Sequence, residues 1–184
     1  MGTATIVVLA VIGVLLLAVI VLYNRLVRAR IKVRQAWAQV DAQLQRRHDL
    51  IPNLVATVQG YAGHERAALD EVIAARATAL SIADPVSREA AEDALGASLS
   101  RLLAVSEAYP DLKANQSFLQ LQEELTGTEG RIAYARQFYN DTVYKYNTKI
   151  QSFPAVILAN MFRFSEREYF EADDESRGPV NVSF

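Results

Sequence analysis

The chain of 184 residues contains 19 basic and 21 acidic side chains and no cysteine. Its length accommodates one membrane anchor and one domain of ordinary size, and the lack of cysteine excludes disulfides, thiol chemistry and thiolate metal sites. All 21 acidic residues but only 14 of the 19 basic ones follow Arg34, so this larger part carries a formal charge of −7. An acidic balance of this kind argues against nucleic acid as a partner.

The first element is an apolar run over residues 4–22 that holds no charged side chain. As a helix, its 19 residues span about 28 Å, close to the hydrocarbon thickness of a bilayer. We therefore predict a transmembrane anchor over residues 1–24. A cleaved signal peptide fits less well, because the basic residues follow the apolar run and no small-residue cleavage site is present.

A basic collar, residues 25–34, follows the anchor and contains no acidic residue. An aromatic residue stands just before it, as is typical of the membrane–water interface. The predicted membrane-interface residues are Tyr23, Arg25, Arg28, Arg30, Lys32 and Arg34. By the positive-inside rule the collar lies in the cytoplasm and the N-terminus outside. We expect the cations to contact anionic headgroups of the lipid bilayer.

Residues 35–152 have a helical pattern, with apolar side chains alternately three and four positions apart and no strand pattern. We predict an all-α fold, in which a single transmembrane helix is followed by an antiparallel bundle of long helices. The predicted bundle-core residues are Trp37, Val40, Leu44, Ile51, Leu54, Val58, Leu121, Leu125, Ile132 and Tyr139. Arg47 interrupts the apolar stripe, so it needs a carboxylate or a backbone carbonyl as partner, or extends outward to water.

Pro52 leaves two topologies open. A proline inside a helix removes a hydrogen bond and costs about 3 kcal/mol, so it either kinks the first helix or opens a second one after a reversal at residues 49–51. A reversal gives a bundle of four helices and a kink gives three. We favour the reversal, because a straight helix would leave residues 33–50 without a partner in the same chain.

Two segments follow the bundle. Residues 153–170 begin with a short apolar stretch that cannot remain in water as a loop. Its candidate interaction residues are Phe153, Ile157, Met161, Phe162 and Phe164. With a reversal at Pro52 the stretch returns to the membrane side, which we favour, and with a kink it lies at the far tip, where protein must cover it. Residues 171–184 are predicted to form a flexible acidic tail.

The chain offers no recognised catalytic motif: the phosphate-binding glycine loop, the nucleophile elbow and the HExxH metal motif are missing. His48 and His64 are sixteen residues apart, about 160° around a continuous helix, and could not share one metal ion. Both are predicted to be solvated or at helix ends. Adjacent carboxylates such as Glu92 and Asp93 are predicted to form a solvated face. We expect no catalytic residue, no metal and no cofactor.

Three strings resemble the LemA family: RRHDLIPNLV at 46–55, YPDLKAN at 109–115 and YNDTVYKYN at 139–147. With their neighbours they cover nearly the whole chain. Gly130 stands where the family pattern has asparagine, and Arg163 where it has glycine. The resemblance implies a bacterial inner-membrane protein with one N-terminal span, a helical bundle and no catalytic residues. It also implies a candidate partner, another inner-membrane protein such as a membrane metalloprotease.

Taken with the anchor and the heptad stripes, this pattern predicts a non-enzymatic scaffold or adaptor at the inner membrane, with its bundle in the cytoplasm. Such a protein presents helix faces to further copies of itself, as a homo-oligomer, or to a membrane partner in envelope quality control. One alternative is a self-assembling protein that organises the bilayer. A more remote one is a metal- or nucleotide-dependent enzyme. No small-molecule substrate is expected.

Overall fold

The computed structural model describes residues 2–82 and 85–170, without the side chains of residues 85 and 86. The helices are α1 (Thr3–Tyr61), α2 (Arg66–Ser81), α3 (Pro85–Val105), α4 (Pro110–Lys113), α5 (Gln116–Gln151) and α6 (Ala155–Met161), with a 3₁₀ turn at Ser106–Ala108. No strand occurs in the described ranges, so the predicted all-α fold is confirmed. The predicted acidic tail, residues 171–184, lies outside them.

The anchor is the N-terminal part of α1. An 18-residue window there has a mean hydropathy of 3.3, and none of it is buried. Within the described residues α1 is the one helix that is long and apolar enough to cross a membrane. A single candidate transmembrane helix was predicted from the sequence, and the structure has it.

The chain divides into two compact units, to which α1 and α5 both contribute. Met1–Asp41 and Ala135–Glu168 form the anchor unit, and Ala42–Tyr134 with Tyr169–Phe184 forms the bundle unit. In the anchor unit α1 and α5 run antiparallel. The ring centroids of Trp37 and Tyr139 lie 6.0 Å apart, and residues 25–32, earlier on α1, line one groove with residues up to Lys149, later on α5. The seam of this pair buries Leu26, Val33, Val143, Tyr146 and Ile150.

The favoured reversal at Pro52 is wrong, because α1 continues through this residue to Tyr61. A proline at position 52 deprives the His48 carbonyl of its usual donor, the amide four residues on. In the structure the Arg76 Nε atom, on α2, donates to that carbonyl at 2.9 Å. The proline is therefore tolerated inside α1 because a side chain from the neighbouring helix replaces the missing amide.

The chain reverses ten residues later, between α1 and α2. Gly63 lies in this turn, where a Cβ atom would come within 3.0 Å of the Gln59 carbonyl oxygen, so glycine allows the close approach. The bundle unit then holds four antiparallel segments: the end of α1, α2, α3 and the start of α5. The prediction tied four helices to a reversal at Pro52 and three to a helix that continues through it. The structure combines a continuous α1 with four segments, because the reversal lies between α1 and α2.

A continuous apolar core holds the four segments of the bundle unit together. It includes Ile51, Leu54, Val58, Leu69, Val72, Leu95, Leu99, Leu102, Phe118 and Leu125. Each fully buried side chain of this size contributes about 1.5–3 kcal/mol. Among the predicted core residues the structure buries Val40, Leu44, Ile51, Leu54, Val58, Leu125, Ile132 and Tyr139, and it leaves Trp37 and Leu121 half-buried.

Candidate functional site at the end of the membrane anchor

Helix α6 ends in a motif that turns the chain sharply. The amide of Phe164 donates to the carbonyl of Ala159 at 2.9 Å, and the amide of Arg163 donates to that of Asn160 at 3.3 Å. These are the two bonds of a Schellman motif, which places its penultimate residue in the left-handed region. Arg163 occupies that position with a φ of 55°. Glycine suits this conformation best, which accounts for the glycine that the resemblance implies there.

The segment after the turn is fastened to α5 by side chains that bond to its backbone. Asn147 accepts from the amide of Arg167 at 2.9 Å and donates to its carbonyl at 2.8 Å. The hydroxyl of Tyr146 donates to the Ser165 carbonyl at 2.9 Å. Both α5 side chains are buried. They fix the position of α6, which precedes this segment.

Aromatic contacts bring this segment to the end of the transmembrane run. The ring centroid of Tyr23 lies 4.8 Å from that of Phe162 and 6.0 Å from that of Phe164. The guanidinium carbon of Arg30 lies 5.0 Å from the centroid of the Phe164 ring, a cation–π contact. Two of the predicted interaction residues thus meet two of the predicted interface residues, although the reversal that had suggested this location is absent.

One face of α6 is left uncovered. Phe153, Ile157 and Met161, spaced four residues apart, are 82%, 55% and 67% exposed. This spacing places Ile157 and Met161 along one side of α6, and Phe153 lies just before the helix begins. Such a row of large apolar side chains indicates a surface that another molecule or a membrane covers.

The collar lies on α1 directly after the transmembrane run, and one of its residues, Arg30, contacts Phe164. Arg25, Arg28, Lys32 and Arg34 are exposed, and Arg30 is half-buried. The Nε atom of Arg28 donates to the Asn24 carbonyl at 3.2 Å, which holds its stem along the helix. Whether these cations contact lipid stays a prediction.

A second group of polar residues is buried in the bundle unit. Both carboxylate oxygens of Glu92 accept hydrogen bonds, one from Arg47 and the other from His48 Nε2 at 2.9 Å. Arg88 Nε adds a third donor at 3.1 Å. Arg47 also donates to the Glu92 carbonyl at 3.2 Å and to Glu129 at 2.8 Å. It therefore has both kinds of partner that its place in the apolar stripe requires.

The charges of this cluster stabilise one another. Burial alone would raise the pKa of the Glu92 carboxyl, but the hydrogen bonds from His48 and Arg47 outweigh it and lower that pKa to about 2. Burial likewise opposes the charge of Arg47, yet Glu129 and Glu92 raise the pKa of its guanidinium above the ordinary value. Glu92 and Arg47 are consequently both charged at neutral pH.

Two predictions on these residues are wrong. His48 is fully buried, not solvated, and Glu92 does not lie on a solvated face. Each alone would be costly to bury, but together with Arg47 they satisfy most of one another's hydrogen bonds. His64 is exposed. Within residues 2–82 and 85–170 no group of three histidine, aspartate or glutamate residues could hold a metal ion.

Sequence reasoning missed Tyr146 and Asn147 as residues that fasten the α6 segment. Tyr146 lies on the apolar stripe of α5, and Asn147 follows it on the same helix. A buried asparagine next to a seam position is the signal that could have identified them, because a buried amide needs hydrogen-bond partners.

Comparisons with known proteins agree with this architecture. A sequence model of the LemA family matches residues 36–184. The chain is 25% identical over 164 residues to Protein LemA of Metamycoplasma hominis, covering 87% of this chain and 74% of that protein. It is 32% identical over 90 residues to Magnetosome protein MamQ 2 of Paramagnetospirillum magneticum, covering 49% of this chain and 33% of that protein. The chain thus spans a third of the MamQ relatives it matches. These similarities indicate a membrane-associated helical protein.

Proposed function

This chain belongs to the LemA family, and we propose that it works as a non-enzymatic scaffold or adaptor held at the bacterial inner membrane. In this proposal the N-terminus lies outside and the bundle lies in the cytoplasm. The observation that carries the proposal is the exposed apolar face of α6, formed by Phe153, Ile157 and Met161. We infer that this face lies in the membrane interface.

Three features support an interfacial position. The contacts of Phe162 and Phe164 with Tyr23 keep α6 next to the residue that ends the transmembrane run. The cations of the collar suit the headgroup layer. An apolar helix face with cations close by is the composition of helices that lie in the plane of a membrane surface. Docked in this way, α6 gives the anchor unit a second contact with the membrane.

A single-cysteine experiment tests the position of α6, since the chain has no cysteine of its own. Met161→Cys in the full chain, labelled with an environment-sensitive dye, should be quenched by lipids that carry a quencher. Leu119→Cys is the matched control, because it is also an exposed apolar residue but belongs to the bundle unit. Equal, weak quenching at both positions would contradict the proposal.

Self-association is the second part of the proposal. Tyr134 and Tyr144 on α5 are 74% and 63% exposed, and tyrosine is favoured at protein interfaces. Confinement to one membrane also raises the effective concentration of the copies. Light scattering of the full chain with lipid present should therefore give a homo-oligomer. A monomer under those conditions would remove self-assembly and leave the adaptor role, with another inner-membrane protein such as a metalloprotease as partner.

The alternative function, organisation of the bilayer itself, is favoured by one observation: the apolar face of α6 and the basic collar belong to the same unit, next to the span. The two functions differ in what the purified protein does. An organiser deforms vesicles without any partner, whereas an adaptor leaves them unchanged and co-purifies with a defined membrane protein.

The orientation is tested separately. The collar carries five cations, and the segment before the apolar run carries no charged side chain, so the positive-inside rule directs the bundle to the cytoplasm. A reporter that is active only in the cytoplasm, fused after Phe184, should be active. A periplasmic reading would overturn the orientation but not the interfacial position of α6.

A further inference from the structure

A groove in the anchor unit joins cations from two helices that lie far apart in the sequence. Its basic residues are Arg25, Arg28 and Lys32 from α1 and Lys145 and Lys149 from α5. The rest of its lining is Ala29, Phe138, Thr142 and Tyr146, so no carboxylate faces it. The groove encloses about 400 Å³, a volume in the range of small-ligand sites.

The fold makes little use of the five cations, of which Arg28 donates to a backbone carbonyl of its own helix. Throughout residues 2–82 and 85–170 no carboxylate lies within ion-pair distance of any of them. All five are exposed. Five like charges repel one another, and the repulsion is relieved when an anion binds between them. In the bundle unit, by contrast, the buried Arg47 and Arg88 are paired with glutamates.

The antiparallel register places the cations at matching heights. Measured from the edge-to-face pair Trp37 and Tyr139 at 1.5 Å per residue, Arg25 and Lys149 lie about 18 and 15 Å along the helix axes toward the membrane. By the same measure Lys32 and Lys145 lie about 7 and 9 Å along. The groove therefore has two levels of positive charge, with Arg28 between them.

The level formed by Arg25 and Lys149 adjoins the bilayer. Arg25 follows Tyr23, the end of the apolar run, by two residues or about 3 Å, which is well within the thickness of the headgroup layer. We propose that this groove is a binding site for an anionic phospholipid, whose phosphate lies among the five cations while its acyl chains remain in the bilayer. This proposal depends on the proposed function only in that α1 is a membrane anchor.

The lining suits a lipid headgroup better than a free anion. Ala29 is small, so a headgroup can approach the backbone of α1 closely. The exposed edge of Phe138 and the ring of Tyr146 give apolar contact to the glycerol part of a lipid, which inorganic phosphate lacks. The groove is also open, as a site entered by a lipid that stays in its membrane must be.

The test compares lipid retention by three forms of the full chain. The protein is purified in mild detergent, supplied with equal amounts of phosphatidylglycerol and phosphatidylcholine, and examined by native mass spectrometry. The unsubstituted chain should retain phosphatidylglycerol selectively. Lys145→Gln/Lys149→Gln should bind it about 30-fold more weakly, because each cation near a membrane surface contributes about one 5-fold step in affinity. Both lysines are exposed, so the fold should not change.

The matched control is Lys113→Gln/Arg131→Gln, which removes the same charge from exposed positions in the bundle unit. It should change retention less than 2-fold. Equal retention by the groove variant and the control would overturn the site. Full displacement of the lipid by inorganic phosphate at one tenth of the lipid concentration would also overturn it. The oligomeric state, measured on the same samples, reports on the proposed function separately. A groove variant that loses lipid but stays a homo-oligomer, like the unsubstituted chain, supports both proposals.

Discussion

The two units of this protein treat charge in opposite ways. In the bundle unit Arg47 and Glu92 are buried and form a hydrogen-bonded ion pair. In the anchor unit Lys145, Lys149 and their neighbours are exposed and have no carboxylate partner among the described residues. The same contrast holds for apolar side chains, which form a closed core in the bundle unit but leave the face of α6 open.

This difference separates residues that maintain the fold from residues available to another molecule. A buried charge is retained only where its partners compensate for the lost water, so the cluster around Glu92 fixes the packing of α1, α3 and α5. Exposed cations beside an exposed apolar row contribute little to folding. They are the features that a membrane protein presents to lipid or to a partner. For this reason the proposed function is assigned to the anchor unit.

The largest expected effect tests the buried cluster. Glu92→Ala should lower the free energy of unfolding by about 3–5 kcal/mol, because Arg47, His48 and Arg88 would lose the carboxylate on which they converge. Glu123→Ala, at an exposed position of α5, should change it by less than about 0.5 kcal/mol. Urea unfolding followed by circular dichroism measures both. Equal effects would mean that the cluster does not hold the bundle unit together.

Acid should reveal the same cluster. The pKa of Glu92 is about 2 in the folded protein against an ordinary value of 4.5. A lowered carboxyl pKa contributes stability above the ordinary value, and this contribution is lost as the pH falls from about 4.5 to 2. The difference corresponds to about 3 kcal/mol. Comparison with Glu92→Gln at each pH isolates it, since that variant lacks the group. If the free energy of unfolding fell in parallel with pH for both proteins, Glu92 would not be the group responsible.

A smaller, local effect is expected in the anchor unit. Asn147→Ala removes the two hydrogen bonds to the backbone of Arg167, each contributing about 1 kcal/mol. The Arg167 amide should then exchange with solvent about 30-fold faster, while exchange in the bundle core stays unchanged. Asn53→Ala, an exposed position of the bundle unit, is the control. Protection that survives in Asn147→Ala would show that other contacts fasten the α6 segment.

Much of this architecture was predictable from local pattern. The apolar run, the basic collar and the heptad spacing indicate an anchored helical bundle without any knowledge of packing. The reversal predicted at Pro52 was wrong because the contact that allows a proline inside α1 is not visible in the sequence. The donor that replaces the missing amide, Arg76, lies 28 residues after His48 in the chain and reaches the His48 carbonyl only once α2 has folded back.

The site was only partly predictable for the same reason. Nothing in the spacing of His48 and Glu92 reveals that they meet, because 44 residues separate them. The collar was read from α1 alone, whereas the groove also needs Lys145 and Lys149 from the far end of the chain. The expectation that a straight α1 would leave residues 33–50 without a partner was wrong, because α5 is a long helix of 36 residues, about 54 Å. That is enough to pair with residues 33–50.

The smallest expected effect concerns the turn that ends α6. Arg163 has a φ of 55°, a conformation that costs a residue with a side chain about 1–2 kcal/mol. Arg163→Gly should relieve this strain but lose about 0.5–1 kcal/mol to the greater freedom of glycine in the unfolded chain, for a net stabilisation of up to about 1 kcal/mol.

Arg163→Ala separates the backbone effect from the loss of the side chain. Alanine keeps the unfavourable φ while removing the guanidinium, so it should give no stabilisation. Thermal unfolding of the three proteins under one condition decides between the two causes. A gain in both variants would mean that the arginine side chain, and not the left-handed backbone, opposes the turn. A gain in the glycine variant alone would show that the chain accepts backbone strain at Arg163 to direct residues 165–168 back along α5.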